Sequence, residues 1–97
     1  MKDLKIIRKD ITANTVEDFK FDVEGYEFLV KNFNDFDIFV AFKNTTETSE
    51  MIKIPAMCAQ VCMRNKTAAA TSSGNSSKDV YVYATSSGEV EVQCQRF

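Results

Sequence analysis

Apolar side chains recur at every second position through most of this sequence, and that period constrains the fold more than any other feature. Phe36, Ile38, Val40 and Phe42 share one parity, with Asp37, Phe39, Ala41 and Lys43 on the other. Successive side chains leave opposite faces of a β-strand, so the run describes a strand with one buried face. Phe39 and Ala41 make the second face partly apolar as well, which places this strand inside its sheet. Val80, Val82 and Ala84 alternate with Tyr81 and Tyr83 in the same way. Val90, Val92 and Cys94 alternate with Glu89, Glu91, Gln93 and Gln95, the cleanest series in the chain. Phe19, Phe21 and Val23 alternate with Asp18, Lys20, Asp22 and Glu24; Phe28 and Val30 continue the pattern, with Leu29 departing from it.

Shorter segments add to the count. Ile52 and Ile54 predict a strand ending at Pro55, which has no N–H for a ladder. The run Cys58-Ala59-Gln60-Val61-Cys62-Met63 reads as strand too. Near the N-terminus, Leu4, Ile7 and Ile11 fit one helical face, while Leu4 and Ile6 fit a strand that changes face at a bulge near Ile7. The Ile and Thr content favours the strand.

Turn chemistry falls between these runs. Asn34-Asp35 suits a tight hairpin, because both residues tolerate left-handed backbone. Asn44-Thr45-Thr46-Glu47-Thr48-Ser49 and Ser86-Ser87-Gly88 make further connections. Strands at such intervals predict an all-β chain: an antiparallel β-sandwich, jelly-roll or immunoglobulin-like, of about seven or eight strands. At 97 residues the chain forms one domain, 1–97. The stretch 64–78 holds no large apolar side chain and reads as a flexible Ser/Ala/Thr-rich surface loop, either a tolerated extension or a segment ordered by a partner.

Composition excludes more function than it supports. There is no histidine, so the usual general base and the commonest transition-metal ligand are missing. Twelve basic residues against fourteen acidic ones leave a formal charge of −2, unlike the basic excess of a dedicated nucleic-acid binder. No run approaches the ~20 apolar residues of a membrane span, and the N-terminal residues do not form a signal peptide. Three cysteines cannot close a disulfide framework; Cys58, Cys62 and Cys94 read as buried or half-buried free thiols. The sequons at Asn44, Asn65 and Asn75 read as loop composition.

Catalytic constellations are sparse. Ser76, Ser77 and Lys78 fall in the flexible loop, where no reactive geometry is held. Glu89 and Glu91 share a strand face but alternate with the core as a solvated edge does. Asp35 and Asp37 serve as turn residues, and only three glycines exist, with no phosphate-cradling loop. The expectation is a non-enzyme with no metal and no cofactor. Two tyrosines stand out: Tyr81 and Tyr83 sit opposite the core parity of their strand, available to a protein interface or a stacked ligand unless another layer covers them.

Several of these stretches taken together have a counterpart. Val30-Lys31-Asn32-Phe33-Asn34-Asp35-Phe36-Asp37-Ile38-Phe39-Val40, then Ile52-Lys53-Ile54-Pro55-Ala56, a Ser/Gly-rich gap, Val80-Tyr81-Val82-Tyr83-Ala84 and Gly88-Glu89-Val90-Glu91-Val92-Gln93 follow in order. This resembles small bacteriophage virion accessory proteins, the β-sandwiches that decorate or cement the head or sit at the neck or tail. Met57 departs from the pattern, standing where a glycine is expected after Ile-Pro-Ala. The resemblance implies a structural role in the virion after synthesis in the bacterial host cytoplasm. It also implies packing against copies of itself or against major capsid or tail proteins, as a homo-oligomer in the assembly. It supplies no site residues.

Overall fold

The computed structural model describes residues 5–63 and 77–97. Among these residues eight strands form: β1 (Lys5–Ile11), β2 (Glu17–Gly25), β3 (Glu27–Asn32), β4 (Ile38–Ala41), β5 (Ile52–Ile54), β6 (Ala59–Met63), β7 (Ser77–Tyr83) and β8 (Gly88–Arg96). A single 3-10 turn at Thr48–Glu50 interrupts the β4–β5 connection. The first strand pairs with the last, β2 with β7, β3 with β6 and β4 with β5, all antiparallel. That is a long hairpin folded at the β4–β5 loop. Rolling it up adds two more ladders, β3 with β8 and β4 with β7.

The result is two four-stranded sheets, β1-β8-β3-β6 and β2-β7-β4-β5, which is the jelly-roll order. Between the two sandwiches the sequence left open, strand order therefore selects the jelly roll. Among the described residues both sheets keep free edges, so the structure is a sandwich and not a closed barrel.

The alternation places the core where the pattern required it. Phe19, Phe28, Val30, Ile38, Val40, Ile54, Val80, Val82, Val90 and Val92 are fully buried between the sheets. Phe28 lies between Phe21 and Phe42, with ring centroids 5.6 Å from each. Burying one such side chain contributes roughly 1.5–3 kcal/mol.

Four expectations about local structure change. Asn34-Asp35 does not close a hairpin, because β3 and β4 lie in different sheets. The turn instead carries the chain across the end of the sandwich, anchored by the buried Asn32. Asn32 Nδ2 donates to the carbonyls of Phe36, Pro55 and Ile54 at 2.8, 3.1 and 3.3 Å, and Oδ1 accepts from Asn34 N and Nδ2, both at 3.0 Å. Asn34 in turn bridges to the backbone of Glu89. These two amides tie the β3–β4 turn, the β5–β6 turn and β8 together.

β1 has no bulge at Ile7. Its register with β8 runs unbroken from Lys5↔Cys94 to Ile11↔Gly88, so Ile7 and Ile11 face the core while Ile6 faces out and is 50 % exposed. Lys9 occupies the inward parity between them at the sandwich margin. Its Nζ lies over the Phe19 ring, 4.8 Å from the centroid, and the ammonium reaches the Asp18 carbonyl and the Glu17 carboxylate. Ser77 and Lys78 belong to β7, so the expected loop ends earlier than position 78; its residues 64–76 lie outside the described residues. Cys58 is exposed, not buried, whereas Cys62 and Cys94 are buried as expected.

Tight corners explain two glycines. β2 meets β3 through Tyr26 alone, and a Cβ on the buried Gly25 would come within 2.3 Å of Cys94 Sγ. A Cβ on Gly88 would lie 2.1 Å from Asn34 Oδ1, against the network just described.

Candidate functional site

Outward side chains of the β2-β7-β4-β5 sheet form the first candidate surface. Tyr81 and Tyr83 project from β7, an interior strand, on the face away from the core. Register sets Tyr81 between Asp18 of β2 and Ala41 of β4, and Tyr83 beside Phe39 of β4. Both tyrosines are half-buried, and the other sheet of the sandwich lies on the opposite side of β7. An aromatic band thus crosses two strands. Beside Ala41 it borders a groove of about 450 Å³ whose walls include Val40, Phe42, Ile52 and the Lys43–Glu50 ion pair.

A polar cluster flanks the band. Asp79 accepts from Lys20 Nζ at 3.2 Å, and its backbone N–H donates to Ser77 Oγ at 3.1 Å. Asp18 Oδ1 is buried and, among the described residues, has no hydrogen-bond partner. Burial, then the hydrogen-bonding and charge of Asp79, push the Asp18 carboxyl above its ordinary range, with Lys20 and Lys9 opposing more weakly. Burial followed by the same two carboxylates raises Tyr81 as well. Aromatic faces next to a carboxyl pair, a lysine and a tyrosine hydroxyl suit a contact that is apolar in body and polar at its rim. Asp18 was not legible as a member of this group, since its neighbours come from a strand sixty residues away.

The outer face of the β1-β8-β3-β6 sheet carries the second candidate. Two rows run across its four strands, Ile6–Gln93–Leu29–Val61 and Arg8–Glu91–Lys31–Ala59. Glu91 is not a solvated edge carboxylate. β8 is an interior strand, and the Glu91 side chain is only 4 % exposed. Its Oε1 accepts from Arg8 Nε and Nη2 at 2.9 and 2.6 Å; its Oε2 accepts from Gln93 Nε2 at 2.7 Å and pairs with Lys31 Nζ at 3.2 Å. The Gln93 and Arg8 hydrogen bonds lead in holding it ionised, lowering its pKa to about 2. Such a carboxylate holds no proton near neutrality to donate, and every partner restrains it. Glu89, which shares its face, is exposed.

The neighbouring row is apolar apart from Gln93. Ile6, Val61 and Met63 are each about half exposed, and Met57 near the β6 end is 72 % exposed. The thiol of Cys62 is pushed up to about 11 by burial, and burial raises Cys94 too, so neither is a ready nucleophile. Asp37, expected as a turn residue, accepts from the Ala56 N–H at 3.2 Å and pairs with Lys53. Among the described residues no cluster of three or more His, Cys, Asp or Glu side chains is placed to hold a metal ion, and no helix is long and apolar enough to cross a membrane. The chain matches no protein-family model, no curated protein and no solved structure.

Proposed function

We propose that this chain is a non-enzymatic structural module of a bacteriophage particle. It packs in multiple copies as a capsid decoration or cement protein, or as a head–tail accessory protein. Its partners are copies of itself and major capsid or tail proteins. One observation carries the reading: both broad faces of the sandwich present apolar side chains outward. The first has Ile6, Leu29, Val61 and Met63, and the second has Phe39, Tyr81 and Tyr83. A lone monomer gains nothing from two such faces, whereas a slab held between neighbours buries both. Many weak contacts then add up through multivalency. Mass spectrometry of purified particles, with light scattering on the isolated protein, tests this. Presence in the particle and self-association are expected; a monomer absent from particles overturns the proposal.

The polar rim of the aromatic band favours one second reading, a carbohydrate- or host-surface-binding module. Tyr81 and Tyr83 would stack on sugar rings, and Asp79 and Lys20 would meet hydroxyls. A glycan array probed with the native chain and with Tyr81→Ser/Tyr83→Ser separates the two. Binding lost in the variant supports the sugar reading, and silence in both removes it.

A further inference from the structure

Natural sheets protect their edges with charge, proline or brevity, because an edge strand offers unpaired backbone groups to any other strand. Three of the four edges here follow that rule. β1 carries Lys5, Arg8, Lys9 and Asp10; β2 presents Lys20, Asp22 and Glu24; β5 has three residues around Lys53 and stops at Pro55. β6 breaks it. It lies within ten consecutive residues without a charge, Ile54 to Met63, and every β6 residue except Cys62 is exposed.

We propose that β6 is a self-pairing edge, joined antiparallel to β6 of a second copy across a two-fold axis so that the outer sheets of two molecules become continuous. The register follows from the ladder. Asn32 N donates to Cys58 O at 2.9 Å, so alternation directs the backbone groups of residues 58, 60 and 62 toward β3. Those of Ala59, Val61 and Met63 point away, and among the described residues no strand pairs with them. A two-fold through Val61 sets it against Val61 of the second copy and Ala59 against Met63. Each such cross-strand pair is apolar, with no like charges opposed. The other edges of a second molecule are charged or short, which leaves β6 as the matching partner for β6. The proposal rests on the assembly reading above, because five residues bury far less than the ~1,600 Å² of a standard stable interface. The pairing is weak in dilute solution and persists where copies are concentrated on a shared surface.

Sedimentation of the full chain across a concentration series tests it. A weak dimer is expected, and Val61→Lys, at a position already 47 % exposed, should weaken it at least ~10-fold without altering the monomer's dichroism. In a Cys58→Ser background, Val61→Cys should form a covalent dimer under mild oxidation. Directly paired Cα atoms lie ~5.5 Å apart, within disulfide reach. Ile6→Cys, equally exposed on the opposite edge, should not. A dimer indifferent to Val61→Lys, or cross-linking no greater than with Ile6→Cys, overturns the proposal. Particle mass spectrometry keeps the two ideas apart. Undiminished loading of Val61→Lys sinks the edge pairing and leaves the assembly reading intact; absence of the native chain removes the assembly reading while the cross-link still judges β6.

Discussion

Replacing Glu91 by glutamine should destabilise the fold near neutral pH and cease to matter in acid. The substitution keeps the shape but removes the charge, and it turns an acceptor facing Gln93 and Lys31 into a donor on one side. The native carboxylate is held from an ordinary 4.5 down to about 2. At ~1.4 kcal/mol per tenfold in proton affinity, that caps its contribution at about 3.5 kcal/mol. Arg8 is 59 % exposed and Lys31 35 %, so solvent screening reduces the expected loss to about 1–2 kcal/mol. In a domain of this size each kcal/mol moves Tm by roughly 4–8 °C. The folded pKa lies below the unfolded one, so the contribution is complete above about 4.5 and disappears as pH falls toward about 2. Urea unfolding of native and Glu91→Gln chains, followed by dichroism at neutral pH and near pH ~2, reads the difference directly. Other carboxylates titrate in both chains and cancel. Equal stability at neutrality, or a gap that survives acid unchanged, would refute the account.

Other substitutions test other parts of the fold. Asn32→Ala removes the amide that serves the β3–β4 and β5–β6 turns and should cost about 2–4 kcal/mol in urea unfolding; a loss under ~1 kcal/mol would mean those turns hold without it. Asp18→Asn removes a carboxylate disfavoured by burial and by Asp79. It should stabilise by about 0.5–1 kcal/mol at neutral pH, with the gain fading in acid once Asp18 is protonated in both states. Met57 has φ 60°, left-handed backbone that costs a side-chain-bearing residue about 1–2 kcal/mol. Met57→Gly should therefore gain up to about 1 kcal/mol after the added unfolded-state entropy, measured as a rise in Tm. A fall in Tm would show that the exposed methionine packs to more purpose than its position suggests.

Much of the fold is written locally. Phe19, Val30, Val40, Val82 and Val92 lie on the inward parity of their strands and are all buried, because a strand's period follows from backbone geometry and needs no partner to express it. Tyr81 and Tyr83 face outward for the same reason.

Which strand lies beside which is a different kind of information, carried by contacts between residues far apart in the chain. Asn34-Asp35 has hairpin chemistry, yet the rolled ribbon sends its two strands into opposite sheets. Glu91 follows the polar parity of β8 faithfully and is still buried, because Arg8 arrives from β1 on one side and Lys31 from β3 on the other. Asp18 meets Asp79 only through the β2–β7 ladder, and among the described residues β6 is an edge because the strand order ends there. Parity is a property of one residue and its neighbours in sequence. Pairing, charge burial and edge exposure arise when the whole ribbon closes on its core, and they exist only in the folded molecule.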